Sequence, residues 1–408
     1  MSFQKGKALK KLLLLGGSRY ILPVIEAAKN LGIYTITCDY LPDNIAHKYS
    51  DEYRNVSIID KDAVLSLAKE LEIDGIMSFA CDPGVVTAAY VAEKMGLPSC
   101  ASYEAVSILQ NKGRFRKFLS DNGFTVPVAK KYTSADEAIG DVDIFNWPVI
   151  VKPTDSAGSK GVTRVDNPED LSESISYALS FSHSNEFIIE DFIEKQGFSS
   201  DSDSFSVDGK LVFCSFSDQR FDENAANPYT PSAYSWPSTM PEDTQKELRQ
   251  EIERLFTLLG IKTSVFNIET RLCTNGKAYI MEVSPRGGGN RLSEMLHLAS
   301  GTDLITNAVK AAVGLPTENI SGDPVYSGCW AELILHSEED GAFNFVEISP
   351  EVKPFVHSEQ LWVSEGEEIH TFTGANFAVG TLVFKFNTAE ELQFYMSKID
   401  DYVKVRVK

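Results

Sequence analysis

The chain has 408 residues and a formal net charge of −20, with 43% hydrophobic and 24% charged residues. This length exceeds the size at which a single hydrophobic core stops growing, so the sequence predicts two or three domains. The negative charge excludes recruitment of nucleic acid or anionic membranes by the overall field, so a phosphate ligand needs local cations, backbone N–H groups or a bound metal ion.

The chain begins with MSFQKGKALKKLLLLGG, which is basic and then apolar. Its leucine run cannot fill the roughly 7 to 15 residues of a signal-peptide core, and no small-residue cleavage site follows. The six cysteines form no CxxC pair, a pattern typical of a reducing compartment. No apolar run reaches the roughly 20 residues of a membrane helix. We therefore expect a soluble, cytoplasmic protein without nucleic-acid or membrane partners.

Residues 12–110 alternate between short apolar runs and amphipathic stretches. The pattern predicts strands at 12–15, 33–38 and 75–79 and helices at 20–31 and 63–71. A further helix is predicted to begin at Asp82 and Pro83, with the acidic residue as N-cap and proline at the first helical position. Such alternation is typical of a parallel, helix-covered sheet.

Gly16, Gly17 and Ser18 follow the first predicted strand and invite comparison with dinucleotide-binding loops. The GxGxxG pattern needs glycine at positions 16, 18 and 21, where this chain has Gly16, Ser18 and Ile21. We therefore favour a tight strand-to-helix turn over a dinucleotide-dependent oxidoreductase.

The middle of the chain predicts mixed α and β structure. Two helical stretches at 102–123 flank Asn111-Lys112-Gly113, and 147–165 predicts a strand, a glycine loop and a second strand. Further predicted segments are a strand at 186–191, a polar serine-rich stretch, a strand at 210–217, an aromatic loop at 229–236 that either contacts substrate or packs, and an amphipathic helix at 242–259. After residue 316, short strand-like pieces with many turn residues predict a mainly antiparallel cap.

The segment FNIETRLCTNGKAYIMEVSPRGGGNRL, residues 266–292, contains the most specific pattern. Asn275-Gly276 lies between two β-patterned runs and predicts a hairpin. With these two as the turn residues, Glu269 and Glu282 lie directly opposite each other. Strand alternation then predicts one polar face with Asn267, Glu269, Arg271, Ile280, Glu282 and Ser284, and one core face with Phe266, Ile268, Leu272, Tyr279, Met281 and Val283.

Opposed glutamates destabilise an antiparallel pair by up to about 1 kcal/mol. A divalent cation between them reverses this sign, because Mg²⁺ takes carboxylate oxygens and leaves its other positions to water and substrate phosphates. The alternative is a solvated hairpin face. Arg286 and the run Gly287-Gly288-Gly289 follow at once, which would place a cation and free backbone N–H groups beside the metal and favours a phosphate site.

Lys152 ends an apolar strand just before Pro153, and the loop DSAGSKG that follows could fold its N–H groups and Lys160 over an anion. Taken alone, a lysine at a strand end before a glycine loop is more often part of an exposed hairpin. The chain has no GxxxxGK[ST] motif, which excludes a P-loop.

These segments together resemble a known family. PVIVKPTDSAGSKGV, FIIEDFIE, and FNIET followed by AYIMEVSPRGGG, in this order, are similar to the ATP-grasp superfamily, which includes carbamoyl-phosphate synthase, biotin carboxylase, D-alanine:D-alanine ligase and the amino-acid ligases. The resemblance implies an α/β and α+β fold of three parts. These are a Rossmann-like pre-ATP-grasp domain at 1–105, a two-part ATP-grasp domain at 106–315 with a lid subdomain at about 125–190, and a small, mainly antiparallel C-terminal cap domain at 316–408.

The resemblance also implies roles for individual residues. Lys112 is similar to the first nucleotide-contacting lysine, and Lys152 to the catalytic lysine that reaches the α and β phosphates. Glu269 and Glu282 match the metal-bridging glutamates, and Arg286 matches the catalytic arginine that steadies the reacting acyl or phosphoryl group. Two longer sets complete the nucleotide site: the lid over the triphosphate with Ser156, Gly158, Lys160 and Gly161, and the adenine-reading hinge with Glu190, Asp191, Phe192 and Ile193.

Two positions depart from the family pattern. Ser284 stands where many members have a metal-coordinating asparagine, and its hydroxyl would hold a metal ion less tightly. Ser199 stands near the position of a glutamate that contacts the ribose hydroxyls in many members, which leaves the ribose contact unassigned.

The activity that the resemblance implies is ligation of a small-molecule carboxylate to an amine through an acylphosphate, with ATP and Mg²⁺ or Mn²⁺ as cofactors. The resemblance to the family is the only basis for expecting a homodimer. A single ATP-grasp unit and the lack of a biotinyl Met-Lys-Met segment disfavour carbamoyl phosphate synthesis and biotin carboxylation, whereas glycinamide-ribonucleotide-type ligation stays open. The alternative from another class is a non-catalytic nucleotide-binding module, which needs neither opposed glutamates nor Arg286.

Overall fold

The computed structural model of the chain describes residues 9–156, 158, 160–320 and 322–408. The first eight residues of the basic start, and Ala157 and Ser159 of the predicted lid, lie outside the described residues. No helix within the described ranges has the length and apolar character to cross a membrane.

The first sheet is parallel and confirms the predicted alternation. Its elements are β1 Lys11–Leu15, α1 Leu22–Asn30, β2 Tyr34–Cys38, β3 Glu52–Arg54, α2 Lys61–Leu71, β4 Gly75–Ser78 and α3 Asp82–Met95, with strand order β3-β2-β1-β4. The leucines of β1 are buried on both faces because helices cover the sheet. The N-cap prediction for Asp82 is wrong: Cys81 is the N-cap, and the Asp82 carboxylate binds Arg286 instead of the helix backbone.

Two short helices and a small antiparallel sheet follow. The elements are α4 Tyr103–Gln110, α5 Lys112–Asp121, β5 Ala129–Tyr132, α6 Ala135–Gly140, β6 Val149–Pro153, β7 Thr163–Val165, α7 Leu171–Leu179 and β8 Phe187–Asp191. Asn111 caps α5 by accepting a hydrogen bond from the N–H of Arg114. The strand order β5-β8-β6-β7 confirms the predicted strands around the glycine loop and places Lys152 of β6 beside β8.

A second antiparallel sheet, of order β10-β9-β13-β14, forms the centre of the molecule. The elements of this segment are β9 Ser200–Val207, β10 Lys210–Cys214, β11 Asp218–Phe221, β12 Pro231–Trp236, α8 Glu242–Leu259, β13 Ser264–Leu272, β14 Ala278–Ser284, α9 Leu292–Ser300 and α10 Leu304–Ala312. Helix α8 has the predicted apolar stripe and ends at Gly260, whose φ of +62° favours glycine.

One sequence interpretation is wrong in this segment, because the predicted aromatic loop at 229–236 contains the strand β12. The serine-rich stretch, for which no element was predicted, contains the buried strand β9. Polarity was misleading in β9, because serine is small enough to be buried on a strand and its hydroxyl finds local partners, as in the pair Ser202 and Ser215.

The remaining strands pair antiparallel, as predicted for the cap. The elements are β15 Cys329–Leu335, β16 Gly341–Ile348, β17 Val356–Leu361, β18 Glu368–Ile369, β19 Gly380–Phe386, α11 Ala389–Met396 and β20 Val403–Val407. One sheet has the order β11-β12-β15-β19-β17, so it joins strands from both sides of residue 315. The mixed α/β fold with several antiparallel sheets confirms the predicted fold class.

Candidate active site

The β13–β14 hairpin makes Glu269 and Glu282 direct cross-strand partners, as predicted. The turn itself is longer than predicted, because the N–H of Cys273 binds the carbonyl oxygen of Lys277. A bulge at Met281 shifts the register by one residue and restores the glutamate pairing farther from the turn.

Because of this bulge, Ile280 and Met281 do not lie on the faces of the hairpin that were predicted for them. Ile280 belongs to the hydrophobic core, whereas Met281 is half-buried. Both residues were assigned to the opposite face, because strict alternation fails where one strand has an extra residue.

The two glutamates keep part of their surface accessible, with side-chain exposures of 30% for Glu269 and 37% for Glu282. Each glutamate has one long ion pair: Lys112 Nζ lies 3.6 Å from Glu282 Oε2, and Arg271 Nη2 donates to Glu269 Oε1 at 3.4 Å. Arg271 has a second partner, because its Nε donates to Oγ of the buried Ser199 at 3.0 Å. The carboxylates are therefore available to a ligand.

The carboxylates of Glu269 and Glu282 suit a Mg²⁺ ion that would complete its coordination shell with other oxygen atoms. Across the described residues, no group of three or more His, Cys, Asp or Glu side chains could hold a metal ion. Two opposed carboxylates would supply two ligands, and water and phosphate oxygens would supply the rest.

Lys112 links the glutamates to the predicted lid. Its Nζ donates to the carbonyl oxygen of Ser156 at 2.8 Å as well as lying near Glu282. Within the loop, Ser156 Oγ donates to the carbonyl oxygen of Lys160 at 3.2 Å. Gly158 and Gly161 have φ of +68° and +72°, a region that favours glycine. Lys112 thus contacts both the predicted lid loop and the β13–β14 hairpin.

Glu190 is buried between two cations. Lys152 Nζ binds one carboxylate oxygen, and Arg116 Nε donates to the other at 3.0 Å. Burial opposes ionisation of Glu190, but Arg116 and Lys152 outweigh it and hold its pKa at about 2. Burial lowers the pKa of Lys152, and Glu190 opposes this shift. The side chain predicted to read adenine thus orients Lys152.

Arg116 was not among the predicted site residues. Besides Glu190, it contacts the hairpin, because its Nη1 donates to the carbonyl oxygen of Met281 at 2.9 Å. Its only sequence signal was its position four residues after Lys112 on a helix, which places both on one side. Arg116 therefore connects the nucleotide half of the candidate site to the metal half.

The predicted hinge, Glu190 to Ile193, comprises the last two residues of β8 and the two residues that follow it. The Asp191 carboxylate accepts from the backbone N–H of Asn146 at 2.9 Å and from its side-chain amide at 2.7 Å. The Arg164 guanidinium lies 4.5 Å from the ring centre of Phe192, and Ile193 is half-buried. These contacts hold the hinge in one conformation beside Glu190.

Arg286 shares one carboxylate with Ser284. Arg286 Nε and Nη2 donate to Asp82 at 2.9 and 2.6 Å, and Nη1 donates to the carbonyl oxygen of Gly287 at 2.9 Å. Ser284 Oγ donates to Asp82 at 3.0 Å and accepts from Gln110 Nε2 at 3.2 Å. Burial lowers the pKa of Arg286, but Asp82 outweighs it and raises that pKa. Asp82 therefore joins the first sheet to the candidate site.

The glycine run serves close packing. A Cβ on Gly287 would lie 2.2 Å from the Phe79 ring, and one on Gly288 would lie 2.6 Å from Leu292 Cδ1. The N–H of Gly288 donates to Asp203 Oδ1 at 2.8 Å. The prediction of free backbone N–H groups is therefore wrong for Gly288.

Strand β9 adds two carboxylates that were not predicted, the half-buried Asp201 and the buried Asp203. Asp201 lies opposite Glu269, and Asp203 lies opposite Asn267, whose Nδ2 bridges both aspartates at 2.7 and 3.2 Å. Burial, reinforced by Glu269, raises the pKa of Asp201 to about 7, and burial raises the pKa of Asp203 to about 6. The alternation Ser-Asp-Ser-Asp at 200–203 was the available signal, because it places both aspartates on one strand face.

Comparisons with known proteins agree with this geometry. Residues 145–294 match the family described as ATP-grasp domain. The formate-dependent phosphoribosylglycinamide formyltransferase of Synechococcus sp. (strain WH7803) is 26% identical over 355 residues, which cover 82% of this chain and 88% of that protein.

Two solved structures share the fold. The L-amino acid ligase from Bacillus licheniformis has a TM-score of 0.80 and 20% identity, covering 98% of this chain and 100% of the other. The biotin carboxylase domain of the Hydrogenobacter thermophilus 2-oxoglutarate carboxylase, crystallised with MgADP and bicarbonate, has a TM-score of 0.74 and 16% identity, covering 98% and 91%.

Proposed function

We propose that the chain is an ATP-grasp enzyme that uses Mg-ATP to ligate a small-molecule carboxylate to an amine, in line with the match of residues 145–294 to the ATP-grasp domain family. The pairing of Glu269 with Glu282 carries this proposal. A module that only bound a nucleotide would gain nothing from two opposed, partly exposed carboxylates beside Lys112, whereas phosphoryl transfer needs a metal ion there.

The proposed reaction has two steps. An oxygen of the substrate carboxylate attacks the terminal phosphorus of ATP, the bond to the β-phosphate oxygen breaks, and ADP leaves. The amine nitrogen then attacks the acyl carbon of the acylphosphate, phosphate leaves, and the nitrogen loses a proton. The first step brings two anions together, the carboxylate and ATP, and the second step expels phosphate, in a protein of net charge −20, so local positive charge is the main catalytic requirement.

We propose that three basic residues and a metal ion supply this positive charge. Lys112 and Lys152 would contact the phosphates, and Arg286 would steady the reacting group. Glu269 and Glu282 would hold Mg²⁺, which supplies positive charge to the phosphate oxygens when bound.

The other assignments follow from position. Ser284 Oγ donates to Asp82 and accepts from Gln110, so one lone pair of this hydroxyl would be left for a metal ion. The lid residues Ser156, Gly158, Lys160 and Gly161 would cover the triphosphate, and the backbone of Glu190, Asp191, Phe192 and Ile193 would face adenine. The division into domains at 1–105, 106–315 and 316–408, the cytoplasmic location and the homodimer stay predictions.

A screen tests the proposed function. The protein is incubated with ATP, Mg²⁺ and pooled amino acids, hydroxy acids and amino sugars, ADP release is measured, and products are identified by mass. Substrate-dependent ADP release and a condensation product support ligation. Nucleotide binding without substrate-dependent ADP release would favour the binding module, and a preference for NADH over ATP would favour an oxidoreductase.

A further inference from the structure

Asp201 on β9 extends the row of acids that the hairpin glutamates begin. It is the cross-strand partner of Glu269, which is in turn the partner of Glu282. Cross-strand partners point to the same face of a sheet, and neighbouring strands lie about 4.8 Å apart. All three residues are partly accessible. A substrate that lies on this face can therefore reach Asp201 from the proposed metal site without crossing the core.

The row carries more negative charge than its basic neighbours and one metal ion would offset. In the described part of the chain, the ion pairs of the row run from Lys112 to Glu282 and from Arg271 to Glu269, and none reaches Asp201. A divalent ion between the two glutamates would balance their charge. Asp201 would then be the acid of the row that is left without a counter-charge.

The hydrogen-bond donors to Asp201 are all neutral. They are Asn267 Nδ2 at 2.7 Å, the Tyr234 hydroxyl at 3.2 Å and Gln219 Nε2 at 3.4 Å. A carboxylate has about four acceptor sites, so Asp201 keeps room for one more donor. That donor would come from the accessible side of the sheet.

The side-chain amide of Gln219 supplies a second acceptor at the same place. Gln219 on β11 is 4% exposed, and its Oε1 has no hydrogen-bond partner among the described residues. Because Nε2 of the same amide donates to Asp201, the unpaired oxygen lies beside that carboxylate. A buried amide oxygen without a donor costs about 1–3 kcal/mol, so we expect a ligand to supply the donor.

A carboxylate and an amide oxygen side by side match a group with positive charge and several N–H donors. A primary ammonium has three donors and no acceptor. The proposed reaction needs such a group beside the acyl carbon, because an amine attacks in its second step. Asp201 occupies the next position of the row beyond Glu269, on the side away from Glu282.

We propose that Asp201 and Gln219 bind the ammonium group of the amine substrate and thereby select a primary amine as the second reactant. This inference rests on the proposed function. The bound ammonium passes one proton to water, and the resulting amine keeps two N–H bonds for these two acceptors while its nitrogen attacks the acyl carbon. Asp201 is then a specificity-determining residue and takes no proton in the reaction.

A competition between two nucleophiles tests this assignment. The protein is incubated with Mg-ATP and the pooled amino acids, hydroxy acids and amino sugars in the presence of hydroxylamine, a nucleophile that is mostly uncharged at neutral pH. The ratio of amide to hydroxamate product is measured by mass. The variants are Asp201→Asn and Gln219→Met. The control is Asp208→Asn, which changes an exposed aspartate just after β9.

We expect the ratio of amide to hydroxamate to fall by about tenfold or more in Asp201→Asn, because a hydrogen bond to a charged group is lost for the amine and not for hydroxylamine. Gln219→Met should lower the ratio by about threefold, since its lost acceptor is neutral. Asp208→Asn should leave it unchanged. The ratio reports only the second step, so a change in total activity does not affect it.

Thermal unfolding in the presence of MgADP gives a second readout that needs no turnover. Methylammonium chloride should raise the melting temperature of the wild type more than potassium chloride at the same concentration. This difference should disappear in Asp201→Asn and persist in Asp208→Asn.

Three results would overturn the inference: an unchanged product ratio in Asp201→Asn, equal stabilisation of the wild type by the two salts, or a methylammonium preference that survives the substitution. Equal stabilisation that depends on Asp201 would identify an inorganic cation as the occupant. Amide and hydroxamate formation with an unchanged ratio leaves the ligase proposal intact and removes this one. If the wild type forms no amide, the unfolding measurement decides whether Asp201 binds an ammonium group, and if it forms no hydroxamate either, the ligase proposal fails.

Discussion

The glutamates of the candidate site occupy two opposite environments. Glu190 is 3% exposed, and both of its oxygens bind buried cations, Lys152 and Arg116. Glu269 and Glu282 are partly exposed, and the basic atoms nearest to them in their ion pairs lie 3.4 and 3.6 Å away. A buried carboxylate with both oxygens paired stabilises the fold, whereas a partly exposed one with a single long ion pair has oxygen surface left for a ligand.

This contrast changes the meaning of a sequence match. The family pattern assigns Glu190, Glu269 and Glu282 alike to ligand binding. In the structure the hairpin pair keeps accessible carboxylate surface, whereas the Glu190 side chain binds Lys152 and Arg116, and the ligand-binding roles of all three stay predictions.

The largest expected effect is the loss of turnover in Glu282→Gln. Removing one metal ligand should lower substrate-dependent ADP formation by about 10²- to 10³-fold. Stability should change by less than about 0.5 kcal/mol, because the residue is partly exposed and the substitution relieves like-charge repulsion. ADP formation and urea unfolding check both statements, with the exposed Glu104→Gln as control. Unchanged ADP formation would contradict the metal role.

Glu190→Gln should have the converse phenotype and destabilise the protein. Arg116 and Lys152 would keep their buried charges and lose their shared counter-charge, which costs about 3–5 kcal/mol of unfolding free energy. Urea unfolding measures the loss. The matched control is Glu186→Gln, whose partner Lys131 is exposed and whose loss should cost at most about 1 kcal/mol. Equal losses in the two variants would contradict the contrast.

The difference in unfolding free energy between the wild type and Glu190→Gln should depend on pH, which provides a sharper test of the role of Glu190. The pKa of Glu190 is lowered from 4.5 to about 2 in the folded protein, so its contribution is fully present above the unfolded pKa and disappears as the pH falls through about 2. The gap in unfolding free energy between wild type and Glu190→Gln should therefore be constant above about pH 5 and shrink by about 3 kcal/mol toward pH 2. A gap that widens on acidification would contradict this sign.

Asp82→Asn should have the smallest effect, because Asp82 combines features of both environments. Its carboxylate is fully engaged by Arg286 and Ser284, yet it keeps 19% side-chain exposure. The variant should lose about tenfold in kcat through misorientation of Arg286, with little change in the KM for ATP. Steady-state kinetics beside the exposed control Asp121→Asn check this split. A change in the KM for ATP alone would place Asp82 in nucleotide binding instead.

Much of the candidate site could be predicted from the sequence because its motifs are local. The strand before Lys152, the glycine loop after it and the opposed glutamates were all predicted, and the structure has them. The turn length and the bulge at Met281 were not predicted, and they compensate each other in the register. A one-residue bulge inside a strand cannot be recognised from the residue types. The predicted glutamate pairing was therefore right, while the predicted faces of Ile280 and Met281 were wrong.

The partners of the carboxylates could not be predicted in this way. Asp82 and Arg286 are 204 residues apart, and Asp201, which accepts from the Tyr234 hydroxyl, lies on a strand in the serine-rich stretch, for which no element was predicted. No periodicity connects such residues, because their contact depends on how sheets and helices pack.

The sequence by itself determined where most strands and helices lie, the hairpin with its two opposed acids, and the ATP-grasp resemblance, because hydrophobic period and turn chemistry act over a few neighbouring residues. Only the tertiary structure decided which of the acids bind buried cations, which keep accessible surface, and which, like Glu332 on β15, are buried with no hydrogen-bond partner among the described residues. The physical reason is that the free energy of a charge depends on its desolvation and on the partners that packing brings to it, and the residue type specifies neither.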